Sequence, residues 1–231
     1  MSQRPFYSDA WYEFLRRLAE LAGILCYQVR HSGQHNIPSE GGVLVVSNHQ
    51  SHFDPVLVGM GSRRRMNYLA RNTLFGFAPF RWLIKSLDAI PIDREGMGLS
   101  GIKESLRRLK RGEMVVVFPE GTRTADGEIG PFRPGFTALA VRSNSAILPV
   151  AIEGAHAAWP RGRMLPWFGV IHVRYGKPIL PKEVKALDER KLIEEVERRV
   201  RECHAGLRDQ PQFAPPDRSR PYSRMPLLST H

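Results

Sequence analysis

Val43-Leu44-Val45-Val46-Ser47-Asn48-His49-Gln50-Ser51-His52-Phe53-Asp54-Pro55 follows a Gly41-Gly42 turn, and its reading decides the fold. Four uninterrupted apolar residues, three of them β-branched, form the pattern of a strand buried on both faces of an α/β sheet. Open α/β sheets bind ligands beyond the carboxyl ends of their strands, so the strand delivers His49 to the edge where a substrate is met. Asp54 lies five residues on, about 500° around a continuous helix, so the two side chains meet only across a turn. In that arrangement the carboxylate holds one imidazole nitrogen while the other takes a proton from a hydroxyl. The competing reading is structural: Asp54 before Pro55 is also the pattern of a helix N-cap followed by proline at the first helical position.

The same alternation of apolar strands and amphipathic helices continues outward. Met66–Ala70, Ala89–Ile92, Met114–Phe118, Ala146–Ile152 and Ile171–Tyr175 read as strands or extended segments. Between them, Pro55–Met60, Gly98–Arg111 and Phe136–Arg142 read as helices, and Leu187–Cys203 as a charged amphipathic one carrying Leu192, Ile193, Val196 and Val200 on one face. Thr73–Ser86 reads as short helices broken by Gly76 and Pro79. The pattern predicts an α/β fold with a mixed, mostly parallel central sheet flanked by helices.

Upstream, residues 8–30 carry Trp11, Phe14, Leu15, Leu18, Leu21, Ala22, Leu25 and Val29 at three- and four-residue steps. That stripe predicts an N-terminal amphipathic helix, serving either a membrane interface or the sheet. Its most apolar part, Leu21–Tyr27, is far short of the roughly 20 residues that span a bilayer. From Gly206 the composition turns to Pro, Arg, Ser and Gln, which predicts a flexible tail. The expected organisation is therefore an N-terminal helix over residues 1–32, a catalytic domain over 33–205 and a tail over 206–231.

The 231 residues suffice for one α/β domain with a sizeable core. The net charge is +11, and Met60–Arg111 holds twelve Lys and Arg against four Asp and Glu. Such a surface implies an anionic partner: nucleic acid, lipid headgroups or a phosphate-bearing substrate. No helix-turn-helix, RNP or zinc-finger signature supports nucleic acid, so none is expected. Cys26 and Cys203 fall in no metal-ligand spacing, and acidic Asp9 and Glu13 ahead of the apolar run do not fit a secretory signal. A reducing location is the expectation.

His49-Gln50-Ser51-His52-Phe53-Asp54, Ile90-Pro91-Ile92-Asp93-Arg94, Phe118-Pro119-Glu120-Gly121-Thr122-Arg123 and Ile147-Leu148-Pro149-Val150 resemble, in order, the four motifs of the glycerolipid acyltransferase family. The likeness runs from about Gln34 to Lys177 and is strongest to its 1-acylglycerol-3-phosphate branch. It implies acyl transfer from acyl-CoA or acyl carrier protein to the hydroxyl of lysophosphatidate at the cytoplasmic face of a membrane. The enzyme would be peripheral or monotopic and need no cofactor or metal. His49 is then the general base and Asp54 its orienting partner. Direct attack on the thioester is expected, because no G-x-S-x-G nucleophile elbow is present.

By the same resemblance Arg94 and Arg123 bind the acceptor phosphate, Glu120, Gly121 and Thr122 complete the acceptor site, and Asn48, Ser51 and Pro149 support it. Arg suits phosphate through its planar fork. A glycine at 121 permits close backbone approach, with its N–H as a donor to the developing oxyanion. Two departures stand out: the long apolar N-terminal segment of integral-membrane relatives is missing, and the Pro-rich tail has no counterpart. An acceptor that is another lysolipid or an amino-acid-based lipid, and a basic protein that only binds anionic membranes or nucleic acid, are the alternatives.

Overall fold

The computed structural model describes residues 27–71, 90–92, 99–163 and 166–209, together with Trp11, Phe14 and Arg17. Seven strands form one sheet in the order β1-β7-β6-β2-β5-β3-β4, with β1 Arg30–Ser32, β2 Val43–Ser47, β3 Met66–Arg71, β4 Ile90–Ile92, β5 Met114–Val117, β6 Ala146–Glu153 and β7 His172–Tyr175. Every neighbouring pair is parallel except β6–β7, so the sheet is mixed and mostly parallel, as the sequence predicts. The helices are α1 Asp54–Met60, α2 Leu99–Lys110, α3 Phe136–Ser143, α4 Ala155–Ala158, α5 Pro181–Ala186 and α6 Glu189–Arg208.

Period-two alternation explains why the central strands are apolar throughout. Leu44 and Val46 join Val115, Val117 and Ile147 on one face, beneath Leu139 of α3 and Leu192, Val196 and Val200 of α6. Val43 and Val45 join Met114, Val116, Leu148 and Val150 on the other, beneath Leu57 and Val58 of α1. All of these strand residues are buried, and each fully buried aliphatic side chain contributes on the order of 1.5–3 kcal/mol. Because β2, β5, β3 and β4 run parallel, their carboxyl ends emerge along one edge.

The boundaries differ from expectation in two places. Tyr27 is helical, Gln28 takes a positive φ of 40°, and Arg30–Ser32 pairs with β7. The sheet therefore begins inside the segment expected to be helical. Its three residues are polar and find their partner some 140 positions away, so no local pattern announces them. At the other end α6 continues to Arg208, past the Gly206 at which the tail was expected, because Leu207 is fully buried and keeps the apolar stripe going. The expected helix over residues 8–30 is otherwise described only at Trp11, Phe14, Arg17 and Tyr27, and the expected helices over 73–86 lie outside the described residues.

Candidate active site

The loop after β2 folds back on itself around one carboxylate. Asp54 is the first residue of α1, yet its Oδ2 accepts the backbone N–H of Gln50 at 2.5 Å and of Ser51 at 2.8 Å, both upstream, and forms no helix cap. The same oxygen lies 2.7 Å from Nδ1 of His49. A carboxylate only accepts, so Nδ1 carries the proton and Nε2 holds the lone pair of the neutral ring. The purely structural reading of Asp54 as an N-cap is therefore set aside by its geometry. Asp54 is fully buried while the His49 side chain is 21% exposed, which leaves the ring reachable. Among the described residues no protein group hydrogen-bonds Nε2.

His49 is held on three further sides. Its ring stacks on Phe118, centroids 4.2 Å apart, its carbonyl accepts the N–H of Thr124 at 2.8 Å, and its own N–H donates to Glu120 Oε1 at 2.8 Å. The other Glu120 oxygen accepts the N–H of Gly130 at 3.0 Å. Burial pushes the Glu120 carboxyl up, against the two backbone N–H groups and His49, which favour its charge. Glu120, expected in the acceptor site, uses both of its oxygens to tie the β2 loop to the loop after β5. Sequence reasoning did not connect Phe118 with His49, although both fall in motif blocks that end adjacent strands.

Gly121 has φ +71°, and a Cβ there would lie 3.3 Å from the Arg133 guanidinium, so glycine is required. Its N–H donates to Phe118 O at 3.0 Å within a turn. Thr122 is exposed, with Arg161 Nη1 3.5 Å from its hydroxyl. Arg123 is half-buried at the same edge, and it lies close enough to His52 to hold that imidazole below its ordinary value, after burial and ahead of His49. Arg94 lies outside the described residues; β4, which precedes it, ends at the same carboxyl edge.

The supporting residues are tied to the sheet. Asn48 Oδ1 accepts the Ile152 N–H at 2.8 Å and its Nδ2 donates to Ile152 O at 2.9 Å. Ser51 Oγ accepts the N–H of Phe53 at 3.3 Å. Pro149 is buried in β6 level with Val46, and its carbonyl accepts the N–H of Gly176 at 2.8 Å. Gln50, not singled out from the sequence, is buried and bridges Gly127 O and the His156 N–H.

A histidine oriented by a buried carboxylate stands at the carboxyl edge of the parallel part of the sheet, where open α/β sheets meet their ligands. The Acyltransferase family pattern matches residues 28–153, more than half of the chain, and the chain belongs to that family. It is 29% identical over 152 residues to the 1-acyl-sn-glycerol-3-phosphate acyltransferase of Bacillus subtilis, covering 65% of this chain and 73% of that one. It is 32% identical over 175 residues to the protein of the same name in Pseudomonas aeruginosa, covering 74% of this chain and 66% of that one. The match to a chloroplastic relative in Arabidopsis thaliana covers 45% of that longer protein. The crystal structure of the 1-acyl-sn-glycerophosphate (LPA) acyltransferase PlsC from Thermotoga maritima superposes with a TM-score of 0.78 at 26% identity, covering 91% of this chain and 85% of that one.

Proposed function

We propose that the protein transfers a fatty acyl group from an acyl thioester, acyl-CoA or acyl carrier protein, to the free hydroxyl of 1-acylglycerol-3-phosphate, giving phosphatidate. The observation that carries this reading is the 2.7 Å contact between His49 Nδ1 and Asp54 Oδ2, which orients a neutral imidazole with Nε2 free to accept a proton. Nε2 takes the hydroxyl proton as the alkoxide oxygen attacks the thioester carbonyl. The tetrahedral intermediate collapses, the carbon–sulfur bond breaks, and the imidazolium returns its proton to the leaving thiolate. Asp54 stabilises the imidazolium meanwhile, and no acyl-enzyme forms. Arg123, joined by Arg94, binds the acceptor phosphate, and no cofactor enters the reaction.

The phosphate reading is favoured over general anion binding because much of the described basic charge is already engaged. Arg64 donates to the carbonyls of Pro38, Gly41 and Gly112, Arg107 and Arg108 pair with Glu104, and Arg111 pairs with Glu113. No described helix is long and apolar enough to cross a membrane. We place the enzyme at the cytoplasmic face of a membrane, where its lipid acceptor resides. The test is thiol release from palmitoyl-CoA and from palmitoyl carrier protein, with lysophosphatidate or lysophosphatidylcholine as acceptor. Release that requires lysophosphatidate supports the assignment; release only with another lysolipid moves the acceptor.

A further inference from the structure

Between α4 and β7 the chain makes an excursion that closes where the Trp167 N–H donates to Ala158 O at 2.7 Å. Just past that closure Trp167 and Phe168 stand 68% and 72% exposed, the two most exposed large apolar side chains described. Exposed singly, such residues need no explanation, but two consecutive aromatics do. Arg161 and Arg163 in the same excursion are also exposed. The excursion is rooted at the active site: the Trp159 ring lies 5.0 Å from the ring of His52 and 4.8 Å from that of Phe53, its Nε1 donates to Arg163 O, and Arg161 reaches Thr122.

We propose that this excursion docks the enzyme on an anionic lipid surface, with Trp167 and Phe168 seated among the headgroups and Arg161 and Arg163 facing their phosphates. Aromatic side chains favour the membrane–water interface, and each nearby arginine adds attraction to anionic lipid. The pairing of exposed aromatic rings and basic side chains on one short segment fits a bilayer better than an acidic protein, which would use the charge and leave the rings in water. The proposal rests on the lysophosphatidate reading for its purpose.

The test uses the full chain and vesicles of phosphatidylcholine with or without phosphatidylglycerol, comparing wild type with the double variant W167S/F168S. Partitioning onto the mixed vesicles is expected to fall about tenfold or more in the double variant. Arg163→Glu should remove the preference for phosphatidylglycerol. Brominated lipid should quench wild-type tryptophan fluorescence more than that of Trp167→Phe. Turnover of a short-chain, monomeric lysophosphatidate should stay unchanged in W167S/F168S while turnover of vesicle-borne acceptor falls with partitioning. Unchanged partitioning and quenching would overturn the proposal, as would loss of carrier-protein binding in place of vesicle binding, or loss of turnover on the monomeric acceptor. If wild type turns over neither acceptor, the acyltransferase assignment fails, and the partitioning and quenching results still decide the docking.

Discussion

Asn48 and Ile152 exchange two hydrogen bonds across 104 residues of sequence, the amide of one matching both backbone groups of the other. β2 ends at Ser47, opposite Val150, and the Asn48 side chain then satisfies the next edge positions of β6 as a further strand residue would. The residue before His49 is thus fixed to the centre of the sheet. Asn48→Ala leaves two buried backbone groups without partners, and is expected to cost about 2–4 kcal/mol of stability. Chemical denaturation measures it, and activity should fall even where the variant remains folded.

Asp54→Asn keeps an acceptor for the Gln50 and Ser51 N–H groups but no longer holds the imidazole tautomer or stabilises an imidazolium. A fall in kcat of about 10²–10⁴ is expected, with the KM for acceptor little changed. An equal rise in KM would instead give Asp54 a binding role.

Gly121→Ala forces an L residue to φ +71° and sets its Cβ against Arg133. Backbone strain of this kind costs about 1 kcal/mol or more. The displaced segment carries Thr122 and Arg123, so the KM for lysophosphatidate should rise more than kcat falls. Arg123→Lys keeps the charge and loses the fork, and should raise the same KM about tenfold.

Away from the site, Glu153 lies 2.5 Å from His204 Nε2 and 3.1 Å from Arg208 Nε, joining the end of β6 to the end of α6. Burial opposes its ionisation, yet the interactions with His204 and Arg208 outweigh burial and hold the carboxyl below the ordinary glutamate value of 4.5. A depressed carboxyl contributes stability that is present above that value and lost as pH falls through the folded-state value. Glu153→Gln should therefore be less stable than wild type near neutral pH. The difference from wild type should vanish in strong acid, as guanidinium unfolding at the two pH values would show.

The strands that carry the site were legible because each is a local run of β-branched or apolar residues, and the His49–Asp54 pair because both ends lie within one turn. What the sequence did not reveal depends on distant partners. The Asn48–Ile152 exchange, the grip of Glu120 on Gly130 and the polar strand Arg30–Ser32 against β7 leave no periodic trace in the chain. The residue types of Glu120 and Gly121 suit substrate contact, and nothing local announces that their polar atoms also bond backbone groups of neighbouring loops.

The most direct test of the mechanism is phosphatidate formation from palmitoyl-CoA and lysophosphatidate by wild type and His49→Ala, each checked for native fold by circular dichroism. Loss of about 10³-fold or more in kcat in the folded variant, with no acyl-protein trapped in wild type when acceptor is withheld, is the predicted result. Activity surviving in His49→Ala, or a stable acyl-protein in wild type, would contradict it.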